Sequence, residues 1–412
     1  MLAFALKLKL IQPEFSFFEP SLRICCQLST HKSTHPPLQA IHPAIMLSRV
    51  LTQALRRTAL PAGRRAVAFN VGGISALSSR LPVGRNMSMA ADNTISNPAM
   101  FCRQCEQTQD HVACRTVGIC GKSPETSTMQ DVLMQSVKSL SLWAVAAREA
   151  GASADEMKEA NSWTLSSVFS TLTNVNFDES RIEQYITEGM AIKRDLEEMV
   201  RVKGGVAPDG DVARLDLSKM DTSELEDFGY SVSIPELQKA MGNDDCFSLV
   251  EVGTYGSKGA CAYAAHCRQL GYMDEDVMAG IHEVFAKLAS SEPDMNGLLA
   301  NALRVGELNG KVLAMLDEAH ANTFGIPEPT QVKTTATKGK CILVSGHDLL
   351  DLETLLKQTE GTGVNVYTHG EMLPAHGYPG LKKYPHLVGN YGTAWQNQKF
   401  EFSLFPGPVV VT

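Results

Sequence analysis

No apolar run in this chain approaches the about twenty residues that a membrane-spanning helix needs, which speaks against an integral membrane segment. A basic stripe is also missing after residue 91, because residues 92–412 carry a net charge of −17. Such an acidic body disfavours binding to nucleic acid. Cysteines are few after Cys120 and stand singly, so a disulfide framework has little support.

The basic residues that the body lacks are concentrated at the amino terminus. Residues 1–91 contain eleven lysines and arginines but only two acids, Glu14 and Glu19. From Met46 onward, arginines and hydroxyl residues accompany apolar residues on one helical face, a composition typical of a transit peptide. We therefore expect a transit peptide or disordered leader over 1–91, directed to the mitochondrion, with the plastid as second choice. If residues 1–45 come from an over-extended gene model and the leader is an artefact, the alternative is the cytoplasm.

The most informative feature present is a group of four cysteines within nineteen residues, spaced x2, x8 and x5: Cys102, Cys105, Cys114 and Cys120. Soft thiolate ligands suit iron, and an irregular loop leaves backbone N–H groups free to bond the sulfurs of a cluster. Structural zinc normally uses two Cys-x2-Cys pairs, or one pair with histidines, and only the first pair here has that form. The spacing favours an iron–sulfur cluster, with zinc as the alternative.

After this loop, residues 92–330 are predicted to form two helical bundles in series. Thr128 can cap a helix that begins at Met129, a capping box over Ser153–Glu156 opens a second, and Asp178 starts a third. Beyond a loop near 204–226, apolar periodicity predicts a second set of helices. Its members are Pro235–Met241, 244–270, Asp276–Leu288 and Met295–Ala321.

At Pro327 the pattern changes, and residues 331–412 are predicted to be the first part of a Rossmann-like parallel α/β domain. Short apolar runs indicate strands at 341–345, 364–367 and 409–411, and helices are expected at 348–358 and 384–398. A strand, a helix and a second strand in this order form a βαβ unit, whose strands are parallel. The predicted fold class is therefore multidomain, α followed by α/β.

Two polar residues follow the first two strands of this domain. His347 comes two residues after the first strand, and Glu371 four residues after the second. Ligands of open parallel sheets gather beyond the carboxyl ends of the strands, so both side chains are expected in one crevice, where they could form a mixed N/O metal site. The alternative for His347 is a satisfied polar residue at a helix start. His369 and His376 flank Glu371 and are candidates to orient it.

Four sequence blocks resemble the hybrid-cluster protein family, also called hydroxylamine reductases or prismane proteins, and the resemblance covers 100–412. The blocks are residues 101–122, 170–177, 339–348 and 367–379. The resemblance implies that Cys102, Cys105, Cys114 and Cys120 bind a cubane 4Fe–4S cluster. It also implies that His347 and Glu371 are two of the ligands of a hybrid 4Fe–2O–2S-type cluster.

By the same resemblance, the activity is two-electron reduction of hydroxylamine to ammonia and water, and nitric oxide reduction is also attributed to the family. The electron donor would be a reductase or a ferredoxin-like protein. The family's other hybrid-cluster ligands are expected beyond Thr412, so the chain resembles a member truncated at its carboxyl terminus. In that case the hybrid site is incomplete, and the alternative function is a single-cluster protein for electron transfer or redox sensing.

Overall fold

The computed structural model describes residues 100–412, so the expected leader over 1–91 lies outside the described residues. After the cysteine loop come eight helices, of which α1 to α4 are Pro124–Glu149, Lys158–Ser170, Glu179–Val202 and Thr222–Ser231. The next four, α5 to α8, are Ile234–Met241, Asp244–Gln269, Glu275–Lys287 and Met295–Phe324. Among the described residues no helix is both long and apolar enough to cross a membrane.

Capping side chains set where these helices begin. Helix α1 starts five residues before the predicted Met129, because Ser123 accepts a hydrogen bond from the backbone N–H of Thr126 and Pro124 occupies the first helical position. The predicted cap, Thr128, is instead a buried residue inside α1. Asp178 caps α3 as predicted, since its side chain accepts from the backbone N–H of Arg181.

The two predicted helical sets share one hydrophobic core rather than forming separate bundles in series. Apolar residues from α1, α3, α7 and α8 pack into a single cluster, which we call the helical core. Leu133, Ile186, Phe285 and Val312 represent these helices and are all 0–1% exposed. The cysteine loop is therefore attached to one large helical body.

The carboxyl-terminal residues form a small parallel sheet. Strands β1 to β4 are Lys340–Ser345, Val364–His369, Leu387–Tyr391 and Val409–Val411, in the order β3-β2-β1-β4. The helices between them, α9 to α11, are Leu349–Thr359, Pro379–Lys382 and Gln398–Leu404. Leu352 and Leu356 of α9 pack with Val344 and Val366 in a second cluster, the sheet core. The α and α/β fold class is confirmed, whereas the boundary at residue 330 stays a prediction.

One predicted element of the sheet region is wrong. The helix expected over 384–398 does not form, and β3 occupies the middle of that range. Pairing explains the failure, because Leu387–Tyr391 adds to the edge of β2, and Gly392, at a φ of +78°, adopts a conformation that a helix interior does not allow. In this pairing Thr368 aligns with Asn390 and His369 with Tyr391.

Candidate metal-binding sites

The cysteine loop is closed by its own backbone. The N–H of Cys102 donates to the carbonyl of Cys114 at 3.1 Å, and the N–H of Cys114 donates to the carbonyl of Cys102 at 2.8 Å. This pair of bonds brings the first and third cysteines side by side, although eleven residues separate them in the sequence. A second turn surrounds Cys120, where the N–H of Gly118 donates to the carbonyl of Lys122 at 2.8 Å.

All four sulfurs of the loop are free thiols; Cys114 is buried and the other three are half-buried. Burial raises the pKa of the Cys105 thiol, and the charges of Cys102 and Cys120 raise this pKa further. Cys102 and Cys120 are thus both near enough to Cys105 to disfavour its thiolate form. A cationic centre between them would favour that form instead, which is the electrostatic condition for a metal–thiolate site.

Four thiolates from one short, irregular loop are a donor set that suits an iron–sulfur cluster. Structural zinc also takes thiolates, but usually from two Cys-x2-Cys pairs, and only Cys102 and Cys105 form such a pair here.

The second predicted pair meets at the strand ends. Ser345 of β1 and His369 of β2 are aligned in the parallel ladder, so the residues that follow them emerge on the same edge of the sheet. His347 Nε2 lies 2.6 Å from Glu371 Oε2, and both side chains are at least half exposed. The predicted juxtaposition is therefore present in the structure. The role of the two residues as ligands stays a prediction, because in the described part of the chain no third donor joins them.

The histidines beside Glu371 do not contact it. His369 is buried and lies 3.0 Å from the Ser345 hydroxyl through Nδ1 and 2.8 Å from the Glu401 carboxylate through Nε2. His376 is buried too, and its Nε2 lies 2.9 Å from the hydroxyl of Thr368. Both histidines lie within hydrogen-bond distance of hydroxyl groups near the carboxyl ends of β1 and β2, just before the two candidate ligands.

Glu401 is the residue of this region that sequence reasoning missed. It lies in α11, and its carboxylate also accepts a hydrogen bond from Thr393 at 2.7 Å. No motif marks it, and the misplaced helix over 384–398 put the preceding residues in the wrong conformation. Its partner, His369, is separated from it by 32 residues, a distance that only the folded chain closes.

Hydrogen bonds also connect the cysteine loop with the strand ends. Trp395 donates through its indole N–H to Glu106, the residue after Cys105, at 3.3 Å. Three residues further along the chain, Gln398 accepts from Asn174 at 2.6 Å and donates to Ser345 at 3.2 Å. The segment 395–398 thus contacts the neighbourhoods of both candidate sites.

Comparison with known proteins identifies a matching family. A family model described as Prismane/CO dehydrogenase family matches residues 100–412. The chain is 46% identical over 318 residues to a hydroxylamine reductase of Escherichia coli (strain SMS-3-5 / SECEC). It is 47% identical over 318 residues to one of Salmonella gallinarum (strain 287/91 / NCTC 13346). Both alignments cover 76% of this chain and 57% of the relative, so the chain spans a little over half the length of these proteins.

A solved structure was also found, but it carries no argument about the fold. Carbon monoxide dehydrogenase IV from Carboxydothermus hydrogenoformans is similar with a TM-score of 0.25 and 15% sequence identity. That alignment covers 76% of this chain and 45% of the other.

The expected location is corrected by these relatives. The prediction of a mitochondrial protein, with the plastid as second choice, is wrong, because the matched hydroxylamine reductases come from bacteria, which have neither organelle. The transit-peptide interpretation of residues 1–91 is likewise unsupported. Arginine-rich, acid-poor composition alone was too weak a signal to assign a destination.

Proposed function

The chain belongs to the Prismane/CO dehydrogenase family, and from that premise we propose that it is the cluster-binding part of a hydroxylamine reductase. The reaction is the two-electron reduction of hydroxylamine, in which two electrons and two protons cleave the N–O bond to give ammonia and water. The shared sequence with curated hydroxylamine reductases supports this activity. Nitric oxide is the second substrate to test.

One observation carries the proposal: four free thiols in nineteen residues, in a loop that its own backbone closes. We assign Cys102, Cys105, Cys114 and Cys120 to a 4Fe–4S cluster. We assign His347 and Glu371 to the hybrid 4Fe–2O–2S-type cluster of the complete protein. When bound, these groups would supply one-electron transfer and an iron open to a small nitrogen compound.

The surrounding residues fix the positions of the two sites. Gln398 ties Asn174 of the helical body to Ser345, two residues before His347. The bond from Trp395 to Glu106 fixes the cysteine loop to the same segment. Because these contacts come from one short stretch of chain, movement of one site relative to the other is restricted. A fixed separation is what electron transfer between two centres requires.

We further propose that the electron donor is a reductase or a ferredoxin-like protein with a basic docking face. The net charge of −17 on residues 92–412 supports electrostatic attraction to such a face. Association should therefore weaken as ionic strength rises. Stopped-flow reduction rates at low and high salt would measure this effect.

Iron and acid-labile sulfide analysis, with low-temperature EPR, tests the cofactor assignment on the full chain purified without oxygen. About four irons and one reducible signal would support the cysteine site alone. About seven to eight irons would show that the strand-end site also assembles. Zinc in place of iron, or no metal at all, would contradict the redox function.

A second candidate is a single-cluster protein for electron transfer or redox sensing. It is favoured by the contrast between four thiols in the loop and two donors at the strand ends in the described residues. Catalytic turnover of hydroxylamine distinguishes the reductase from the single-cluster protein. Hydroxylamine-dependent oxidation of reduced methyl viologen, with ammonia as product, supports the reductase, whereas about four irons without turnover support the single-cluster protein.

A further inference from the structure

A buried, positively charged cavity of about 80 Å³ lies beside Cys102 in the helical body. Three lysines line it, one preceding α1, one within α1 and one within α6: Lys122, Lys138 and Lys258. Their side chains are buried, with residue exposures of 3%, 6% and 6%. Two carboxylates, Asp131 and Glu251, line the same cavity, and Glu251 is ion-paired with Arg103. Lysines are rarely buried without a partner, so this grouping needs an explanation.

The hydrogen-bond partners of these lysines do not neutralise their positive charges. Lys122 donates to the side-chain carbonyl of Gln130, and Lys258 to that of Gln104 at 2.8 Å, but both acceptors are neutral. In the region the structure describes, neither Lys138 Nζ nor the Asp131 carboxylate has a direct hydrogen-bond or ion-pair partner. All four charged side chains line the same cavity.

The charges around the cavity do not balance. Three ammonium groups oppose one carboxylate, and the nearby Arg103 and Glu251 form an ion pair at 2.7 Å that cancels itself. Burial lowers the pKa of Lys138 and of Lys258 to about 8 and raises that of Asp131 to about 7. Counted as formal charges, the three ammonium groups exceed the Asp131 carboxylate by two positive charges.

The cavity is large enough for a small ion, and a second cavity lined by polar groups adjoins it. Its volume is enough for several water molecules, but not for a nucleotide. A second cavity of about 240 Å³ shares Phe101, Ser127 and Asp131 with it and is lined by further hydroxyl groups, among them Tyr230 and Ser233. Asp131 therefore stands between the charged cavity and a polar one.

We propose that this cavity is a binding site for inorganic phosphate, held as the hydrogenphosphate dianion by Lys122, Lys138 and Lys258. A dianion matches the excess charge, and its three unprotonated oxygens can accept from the three ammonium groups. The fourth oxygen carries a proton that it can donate to Asp131. Sulfate has the same shape and charge but no proton to donate, so the carboxylate disfavours it.

Occupancy would stabilise the cysteine loop from both ends. Lys258 holds Gln104, which lies between Cys102 and Cys105, and Lys122 follows Cys120 by two residues. A phosphate that binds both lysines would therefore tie the start and the end of the loop to α1 and α6. This role is independent of which metal the loop binds.

Isothermal titration calorimetry of the full chain, in chloride buffer free of phosphate and sulfate at pH 7.5, tests the site. We expect one phosphate per chain and at least tenfold weaker binding of sulfate. Lys138→Met should weaken phosphate binding at least tenfold, whereas the matched control Lys158→Met, whose side chain is 78% exposed, should not change it. Asp131→Asn, whose amide can donate, should reduce or reverse the preference for phosphate over sulfate.

The opposite results overturn the proposal. If the wild-type chain shows no saturable phosphate binding, the cavity holds water and the lysines serve only as counter-charges. The proposal also fails if Lys138→Met and Lys158→Met bind phosphate equally. Should Lys138→Met not fold, crystals of the wild-type chain soaked in arsenate give a direct answer, because an anomalous peak must lie between the three lysines. Iron content measured on the same samples keeps this result separate from the cofactor assignment.

Discussion

The cysteine loop and the two strand ends bring their candidate ligands together in two different ways. In the loop, all four donors lie within nineteen residues, and backbone bonds between Cys102 and Cys114 suffice to close it. At the strand ends, His347 and Glu371 come together only because β1 and β2 pair in register. The comparison teaches that the loop brings its candidate ligands together through local backbone bonds, whereas the strand-end pair meets only through the pairing of two strands.

The largest expected difference between the two sites is in metal content. Cys105→Ala should reduce the iron of the anaerobically purified chain from about four per chain to less than one, because loss of one of the four proposed thiolate ligands destabilises the cluster. Glu371→Gln should leave that iron in place, since the loop does not use Glu371. Colorimetric iron analysis with EPR measures both effects.

Cys341→Ala provides the control for the cysteine substitution, because Cys341 is a half-buried free thiol in β1, outside the loop. It should retain the iron of the wild-type chain. Equal iron loss in the Cys105 and Cys341 variants would mean that the loop is not the site. Loss of iron from the Glu371 variant would contradict the expectation that the loop binds iron without the strand-end residues.

A second difference concerns the two hydrophobic cores that support the sites. Phe285→Ala in the helical core should lower the free energy of unfolding by about 3–5 kcal/mol, and Leu352→Ala in the sheet core by about 2–5 kcal/mol. Both side chains are 0% exposed. Hydrogen-exchange mass spectrometry should show faster exchange than in the wild type around the cysteine loop in Phe285→Ala. In Leu352→Ala the faster exchange should lie around β1 and β2.

If both core substitutions accelerate exchange over the whole of residues 100–412, the two regions unfold as one cooperative unit. In that case the loop depends on the sheet after all, and the contrast drawn above fails. Ala314→Gly on the exposed side of α8 is a control, with a cost of about 1 kcal/mol from helix propensity alone.

The smallest expected difference is in sensitivity to acid. His282 in the helical core is 0% exposed, and burial, with the Arg148 charge beside it, holds its pKa well below the ordinary value. The unfolded histidine takes up a proton near pH 6.5, so the unfolded chain binds more protons below that pH. The stability that neutral His282 contributes is thus present above about pH 6.5 and is lost as the pH falls.

His376 in the sheet region provides the comparison, because burial also lowers its pKa, but it is less completely enclosed. Melting temperatures of the wild type, His282→Gln and His376→Gln between pH 7.5 and 5 test this. Acid should lower the melting temperature of the wild type more than that of His282→Gln. If the melting temperatures of the wild type and of His282→Gln fall equally as the pH is lowered, His282 does not contribute to acid sensitivity.

Part of the fold was predictable because its signals are local. Asp178 caps α3, as its position before an amphipathic run predicts, and β1, α9 and β2 lie within a few residues of their expected limits. The failures have physical causes. The first helix begins at Pro124 instead of Met129 because Ser123 caps it, and strand pairing at Leu387–Tyr391 replaces the helix expected over 384–398.

The candidate sites divide in the same way. The cysteine loop could be recognised from spacing alone, and the pairing of His347 with Glu371 followed from a general property of parallel sheets. Glu401 and the lysine cavity could not be found in the sequence. Lys122, Lys138 and Lys258 are each ordinary lysines in helical or loop segments, and only their burial around one cavity makes them unusual.

By itself, the sequence determined the fold class, the family and the four thiols of the loop, because helix caps, strand patterns and ligand spacing act over a few residues. The tertiary structure decided that the two helical sets share one core, that His369 binds Glu401 and that three lysines surround one cavity. These features join residues that lie far apart in the sequence, such as Lys122 and Lys258, which are 136 positions apart. Packing brings such residues together, and no local signal records which ones will meet.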